Sequence, residues 1–391
     1  MGGWYCRNSA TGRNFASLHN GRLARWLHAR DPAGDFNRTV LAGSIPQGTY
    51  THSLVGTFFM PRIALVFCSR LAACTLIVSI CFAMTGIYPA HRTFAEDATY
   101  EDDVAFLVKH TEVMELTNDE GARVAVCPQL QGRVMTSTCE GPQGLSLGWI
   151  NRDFIAAGED NPHFNNYGGE DRFWLGPEGG QFALWFAADA EQTFENWLTP
   201  PAFNTGAFHQ ADNGSQPGFR LHKRMELPNA SRTEFQLNVD RLIRLVNAQA
   251  FAKSFGEDAA KLLGQGDTKM VGFESQNTVT NHGKAQSRDS GLISIWILGQ
   301  FPPGEETVVI APYHQGSVDK LGPVVNSDYF GSIPDDRLVV TPEAVLFLTD
   351  GNYRSKIGLT PARAKPVVGS IDFKRGVLTL VHYTLPEDAE S

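Results

Sequence analysis

The chain has 391 residues, 33 of them basic and 42 acidic, for a formal net charge of −9, and 42% of it is hydrophobic. The charge is divided unevenly: residues 1–95 hold nine arginines, no lysine and two acidic residues, against 24 basic and 40 acidic residues from position 96 on. A body so acidic repels nucleic acid and anionic lipid, which argues against both as partners.

Residues 71–87, LAACTLIVSICFAMTGI, form an uncharged apolar run behind Arg62 and Arg70. The run has the length of a secretory apolar segment and is short of the ~20 residues that span a bilayer. Thr93-Phe94-Ala95 before Glu96 has the small-x-small form of a cleavage site. Export to the periplasm or beyond is therefore expected, with a mature chain starting near Glu96. Met60 stands where such a signal would start. That leaves 1–59 as an extension without a clear apolar period, 60–95 as signal peptide and 96–391 as the folded body. An uncleaved anchor at 71–87 is the alternative, and the only expected contact with a membrane. Cys6, Cys68, Cys74 and Cys81 precede the body, while Cys127 and Cys139 lie within it. This pair is open to a disulfide or to two buried thiols.

From Tyr100 on, short apolar runs alternate with Gly, Pro, Asn and Asp. Strands are expected at 111–116, 122–128, 133–139, 145–150, 182–186, 233–239, 242–248, 278–280, 292–298, 307–311, 337–341, 344–349 and 377–383. Many alternate, as RTEFQLNVD does with Phe235, Leu237 and Val239 on one side. Only 102–109 and 256–263 read as helical. So few helices exclude a doubly wound parallel sheet, which needs crossover helices. No repeat of about 40 residues marks a propeller. One large all-β antiparallel sandwich remains.

The most distinctive stretch is 161–186, NPHFNNYGGEDRFWLGPEGGQFALWF. Five glycines and two prolines exclude a helix. It reads as a long loop feeding a strand, with Phe182, Leu184 and Phe186 on one face and Trp185 on the other. Loops rich in polar and aromatic groups on a rigid scaffold are where binding and chemistry concentrate.

GARVAVCPQLQGRVMTSTCEG, a strand, a Pro-x-Leu-x-Gly-Arg turn and a second strand, resembles the opening hairpin of the galactose mutarotase-like (aldose-1-epimerase-like) superfamily. MELPNASRTEFQLNVDRLIRLV and NTVTNHGKAQSRDSGLISIWILGQF are similar to its later strands, and GGEDRFWLGPEGGQF to a loop of its uncharacterised bacterial branches. The resemblance implies a β-supersandwich with a sugar-sized cleft, a Glu as base and a His as acid. Where that family's strand after Asn281-His282 supplies a catalytic His, this chain has Trp296.

Proton transfer on a sugar needs one group to take a proton and another to give one. Glu178, between Pro177 and Gly179-Gly180, is the candidate base, or else a carboxylate that caps its own loop. His163, and His314 at similar odds, are the candidate acids. Arg172 suits hydroxyls or a carboxylate, or pairs with Glu170 or Asp171. Trp174, Trp185 and Trp296 are platforms for a sugar face or core packing. Glu170 with Glu178 would make a glycosidase pair. Arg354 and Lys356 point to an acidic ligand such as a uronate, or to surface salt bridges. No zinc spacing, P-loop, dinucleotide motif or nucleophile elbow appears, so no metal or cofactor is expected. The expectation is an exported carbohydrate-binding protein, with acid/base chemistry left open. A non-catalytic glycan-binding or structural envelope protein is the alternative.

Overall fold

The computed structural model describes residues 49–59, 97–264, 267–327 and 329–385. The apolar run 71–87 and the expected cleavage site lie outside the described residues. Among those described, no helix is long and apolar enough to cross a membrane.

The strands are β1 (Thr49–Phe59), β2 (Met114–Thr117), β3 (Arg123–Cys127), β4 (Arg133–Thr138), β5 (Arg172–Gly176), β6 (His209–Ala211), β7 (Phe219–Pro228), β8 (Glu234–Leu245), β9 (Lys269–Asn281), β10 (Ser294–Leu298), β11 (Thr307–Pro312), β12 (Leu338–Val340), β13 (Ala344–Leu348), β14 (Val367–Asp372) and β15 (Val377–Tyr383). Ten form one sheet in the order β12-β13-β11-β14-β15-β1-β9-β8-β7-β6, beside a three-stranded sheet β2-β3-β4 and the pair β10-β5. Every pairing between these strands is antiparallel, so the protein is the all-β antiparallel sandwich that its alternating pattern predicts.

The main core fills the space between the β6–β9 end of the large sheet and the two smaller sheets. Leu221, Met225, Phe235, Leu237, Val239, Ile243, Val271 and Phe273 pack there with Val124, Val126, Val134, Phe173 and Leu175. A second cluster, built on Val309, Ala311, Tyr313, Val345 and Phe347, lies at the β11–β13 end. Phe251 of the helix Ala248–Phe255 and Val246, just past the end of β8, are buried and pack with Leu378 and Leu380 of β15. The helix Tyr100–Val108 is held at its start by reciprocal bonds between Thr99 and Asp102.

Several boundaries differ from the sequence expectation, each for a tertiary reason. The runs 233–239 and 242–248 are one strand, β8, because Arg241 does not interrupt it: its side chain lies on the buried face and pairs with Asp171. The short run 278–280 is the end of thirteen-residue β9, whose earlier part pairs with both β8 and β1. No strand forms at 182–186. Ala183 closes a turn onto the Gly180 carbonyl and Leu184 bonds back to Pro177, so four consecutive residues, 183–186, are buried without alternation. The strand lies earlier, inside the stretch expected to be loop, where β5 pairs with β10 and places Trp174 opposite Trp296. Gly168 and Gly169 make that entry possible: both have positive φ, and a Cβ on Gly168 would lie 2.1 Å from the Trp149 carbonyl.

β1 takes eleven residues from the region set apart as an extension. Its β-branched and aromatic composition suits a strand, and it pairs along its whole length with β9 and over Ser53–Phe59 with β15. Cys127 and Cys139 are both buried free thiols, so the disulfide does not form.

Candidate functional site

Glu178 follows β5 directly, after the cis Gly176–Pro177 bond. Its loop is tied to the 187–199 segment by two reciprocal bonds: Gly180 N–H donates to the Gln192 side-chain oxygen at 2.9 Å, and the Gln192 amide donates to the Gly180 carbonyl at 2.8 Å. That clamp holds the carboxylate against donors from three separate segments. The Trp197 indole N–H donates to Glu178 Oε1 at 3.0 Å. The Tyr329 hydroxyl donates to the same oxygen at 3.3 Å. Lys356 Nζ lies 3.8 Å from Oε2, with its ammonium 4.0 Å from the centre of the Tyr329 ring. The Glu178 side chain stays 21% exposed and the Lys356 side chain 14%. Burial lowers the Lys356 pKa below the ordinary lysine range, and the Glu178 charge offsets only part of that shift.

Further aromatic rings adjoin the residues that hold this pair: Phe194 packs on Trp197 and Phe330 on Tyr329. Phe194, Phe330 and Tyr353 are exposed. Phe194 stacks on His163 at 4.9 Å and on Trp197 at 6.5 Å. Arg354 lies over Phe330 at 4.3 Å, and Arg337 over Tyr353 at 5.3 Å. The Tyr353 hydroxyl donates to Ser332 O, which joins the 329–333 and 350–356 loops. Burial alone would raise the Asp350 carboxyl, but bonds from Arg337 and the Asn352 N–H outweigh it and hold the pKa below the usual range.

His163 reaches this site only at second hand. Its Nδ1–H donates to the Trp197 carbonyl at 2.7 Å, which leaves Nε2 as the nitrogen available to a ligand. No hydrogen bond or ion pair among the described residues joins it to Glu178. His314 is exposed at the end of β11, where its backbone N–H bonds Arg363 O and its carbonyl accepts from the Arg363 side chain at 2.9 Å. Its ring makes no described hydrogen bond or ion pair with Glu178.

The remaining sequence candidates belong to the interior. Trp174, Trp185 and Trp296 are 2%, 1% and 9% exposed and pack edge to face or tilted at 5.3–5.4 Å. They are core, and a sugar ring has no open face on them. Asp171 pairs with Arg241 and accepts from Ser275 at 2.8 Å, with both ionic side chains fully buried. The Arg172 guanidinium lies over aromatic rings, 4.0 Å from the centre of Trp174 and 4.8 Å from that of Phe164. Glu170 is buried and bonded to Ser137, and burial pushes its pKa up to about 8. Its side chain is enclosed by the interior, whereas the Glu178 side chain is partly exposed. Among the described residues no three His, Cys, Asp or Glu side chains converge on a metal site.

Trp197 and Phe194 were the residues that sequence reasoning underrated. Their signal is two large aromatics in EQTFENW, a polar run with no apolar period that would bury them.

Fold and site together define an antiparallel β-sandwich protein with a partly exposed carboxylate–ammonium pair held by Trp197 and Tyr329. The profile of DUF6786, a family of unknown function, matches residues 98–391, and the chain belongs to that family. No curated protein matches the sequence. The Slr1438 protein from Synechocystis sp. PCC 6803 is similar at 13% identity, over 75% of this chain and 89% of its own, with a TM-score of 0.28. A likeness that weak carries no argument.

Proposed function

We propose that this is an exported carbohydrate-binding protein whose ligand site is centred on Glu178 and Lys356 and prefers acidic sugars. The observation that carries the reading is the Glu178 carboxylate, held beside Lys356 by the Trp197 and Tyr329 donors, on which the exposed rings of Phe194 and Phe330 pack. Sugar hydroxyls exchange hydrogen bonds with a carboxylate, and their C–H faces pack on aromatic rings. Lys356 and Arg354 supply positive charge for a uronate carboxylate. The antiparallel sandwich is the fold that the galactose mutarotase-like resemblance implies, which supports the class of ligand. Export belongs to the same proposal and rests on residues 60–95 alone; cleavage there separates the body from Thr49–Phe59, so in the exported form β9 and β15 lose the strand between them.

A second reading adds catalysis: Glu178 takes a proton from the sugar, and Lys356 returns one. It is favoured by the lowered Lys356 pKa, which brings an amine nearer to a proton-donor role at working pH. His163 and His314 are not the acid in this reading, since neither makes a described hydrogen bond or ion pair with Glu178.

Calorimetry of the protein against neutral sugars, uronates and their oligomers tests both. Lys356→Met weakens uronate binding about tenfold or more and leaves neutral sugars nearly unchanged. Uronate affinity also falls as pH rises through the lowered Lys356 pKa, because the cation is lost. Glu178→Gln retains uronate binding but abolishes any turnover if the second reading holds. Absence of saturable binding to any member of the panel at millimolar concentration overturns the proposal.

A further inference from the structure

The outer face of the β6–β8 edge carries a row of metal-ligating side chains that the Glu178 site does not use. His209 on β6 is the direct cross-strand partner of His222 on β7, and His222 is the partner of Asp240 on β8. Cross-strand partners project from the same face of a sheet. Leu221 and Val239, adjacent in sequence to His222 and Asp240, are buried, so the row itself points outward. Both histidines are exposed and Asp240 is half-buried. Their imidazole rings stand with centroids 5.8 Å apart, tilted by 45°. Two imidazoles that share one cation through nitrogens about 2.0–2.1 Å from it have ring centres roughly 5 Å apart. A small rotamer adjustment of two exposed side chains closes that difference.

We propose that His209 and His222 form a two-imidazole anchor for a borderline transition cation, Zn²⁺, Cu²⁺ or Ni²⁺. Imidazole nitrogen suits these ions, whereas Mg²⁺ and Ca²⁺ demand oxygen ligands. Asp240 lies one strand further in and contributes negative charge instead of a third direct bond. One of its oxygens is 3.4 Å from Arg220, an exposed ion pair that competes weakly. Water completes the coordination. The location gives the metal a structural consequence, because β6 is three residues long and lies at the edge of the sheet. A cation held by β6 and β7 together fastens that edge, which its own few backbone bonds hold poorly.

The test uses the full chain and Cu²⁺ or Zn²⁺ alone. Titration followed by calorimetry, and Cu²⁺ electron paramagnetic resonance for nitrogen coordination, are compared between the wild type and His209→Gln/His222→Gln. The wild type binds one equivalent that the double variant lacks, each single variant binds at least tenfold more weakly, and Asp240→Asn weakens binding by a few fold. Metal slows amide exchange at 209–211 in the wild type and not in the double variant, a response that cation bound at another histidine does not produce. A double variant that keeps the same first equivalent, or a wild type whose 209–211 exchange ignores saturating metal, overturns the assignment. The double variant's far-ultraviolet circular dichroism and melting without metal match the wild type, because both positions are exposed.

Discussion

Arg241→Met is the most informative single perturbation of the fold. In the wild type the Arg241 guanidinium meets Asp171 where neither side chain has any solvent exposure, and Ser275 donates a further bond to the carboxylate at 2.8 Å. Methionine fills much of the same volume beside Phe173 and Phe208, whose ring centroids lie 5.8 and 6.0 Å from the guanidinium, so lost packing is a small part of the effect. What remains is a buried carboxylate with one hydroxyl for company. Removing one partner of a buried pair costs about 3–5 kcal/mol, because the orphaned charge keeps its desolvation penalty. Urea unfolding at neutral pH, followed by tryptophan fluorescence, measures the loss directly. Asp171→Asn in the same chain then removes the stranded charge, and Arg241→Met/Asp171→Asn recovers most of the deficit although it holds fewer polar contacts. A single variant within 1 kcal/mol of the wild type, or a double variant as unstable as the single, refutes the claim that this pair is an obligate buried charge couple.

Three further outcomes follow from the same structure. Glu170 has its carboxyl pushed from 4.5 up to about 8 by burial, with Ser137 opposing. The folded state therefore binds the extra proton between those values and stability falls as pH rises through that window. Glu170→Gln removes that slope and is more stable than the wild type above pH 8 by on the order of a few kcal/mol; parallel unfolding curves from pH 5 to 9 would exclude it. Trp197→Phe keeps an aromatic ring, though a smaller one, but deletes the N–H donated to Glu178, so uronate affinity drops about 5–30-fold with only a modest fall in melting temperature; an unaltered affinity measured by calorimetry removes Trp197 from the site. A chain that starts at Glu96 lacks β1, which leaves β9 and β15 as unpaired edges, and hydrogen exchange at 269–281 and 377–383 rises relative to the full chain; equal protection in the two chains shows that β1 contributes nothing to the sheet.

The parts of the fold legible in the sequence are those where one face is wet and the other dry. β8 and β15 carry that alternation openly, and the expected runs at 233–239, 242–248 and 377–383 fall on them. β4 and β5 are buried on both faces and carry no period; the expected run 133–139 still falls on β4, whereas β5 lies inside a glycine-rich stretch that reads as loop. Its strand character comes from β10, which supplies the partner edge and sets Trp174 against Trp296. Arg241 shows the opposite failure. A charge in a strand reads as a break, and only the distant Asp171 explains why this one belongs to the core.

The site divides along the same physical line. Glu178 was legible because its neighbours exclude regular structure: a proline and two glycines force the chain to turn, and a carboxylate at such a turn must meet either solvent or a donor. Which donors it meets is a tertiary fact. Tyr329 lies 151 positions away along the chain, and Lys356 is further still. They arrive from loops at the β11–β13 end of the large sheet, while Glu178 arrives from the end of β5. The tryptophans misled for a related reason. Composition says that an indole suits both a sugar face and a core, and burial decides between them. Trp174, Trp185 and Trp296 have neighbours on every side, and Trp197, five residues before the Ala202 that packs on the same core, keeps enough exposure to reach both Glu178 and solvent. A binding surface built this way depends on the rigid aromatic wall behind it: Trp185 stacks on Trp197 at 6.2 Å and thereby fixes the donor that orients the carboxylate. Under the proposed function the buried cluster reaches the ligand through Trp197, and substitutions of Trp185 or Trp174, which pack on that ring, are expected to change affinity as far as they free it.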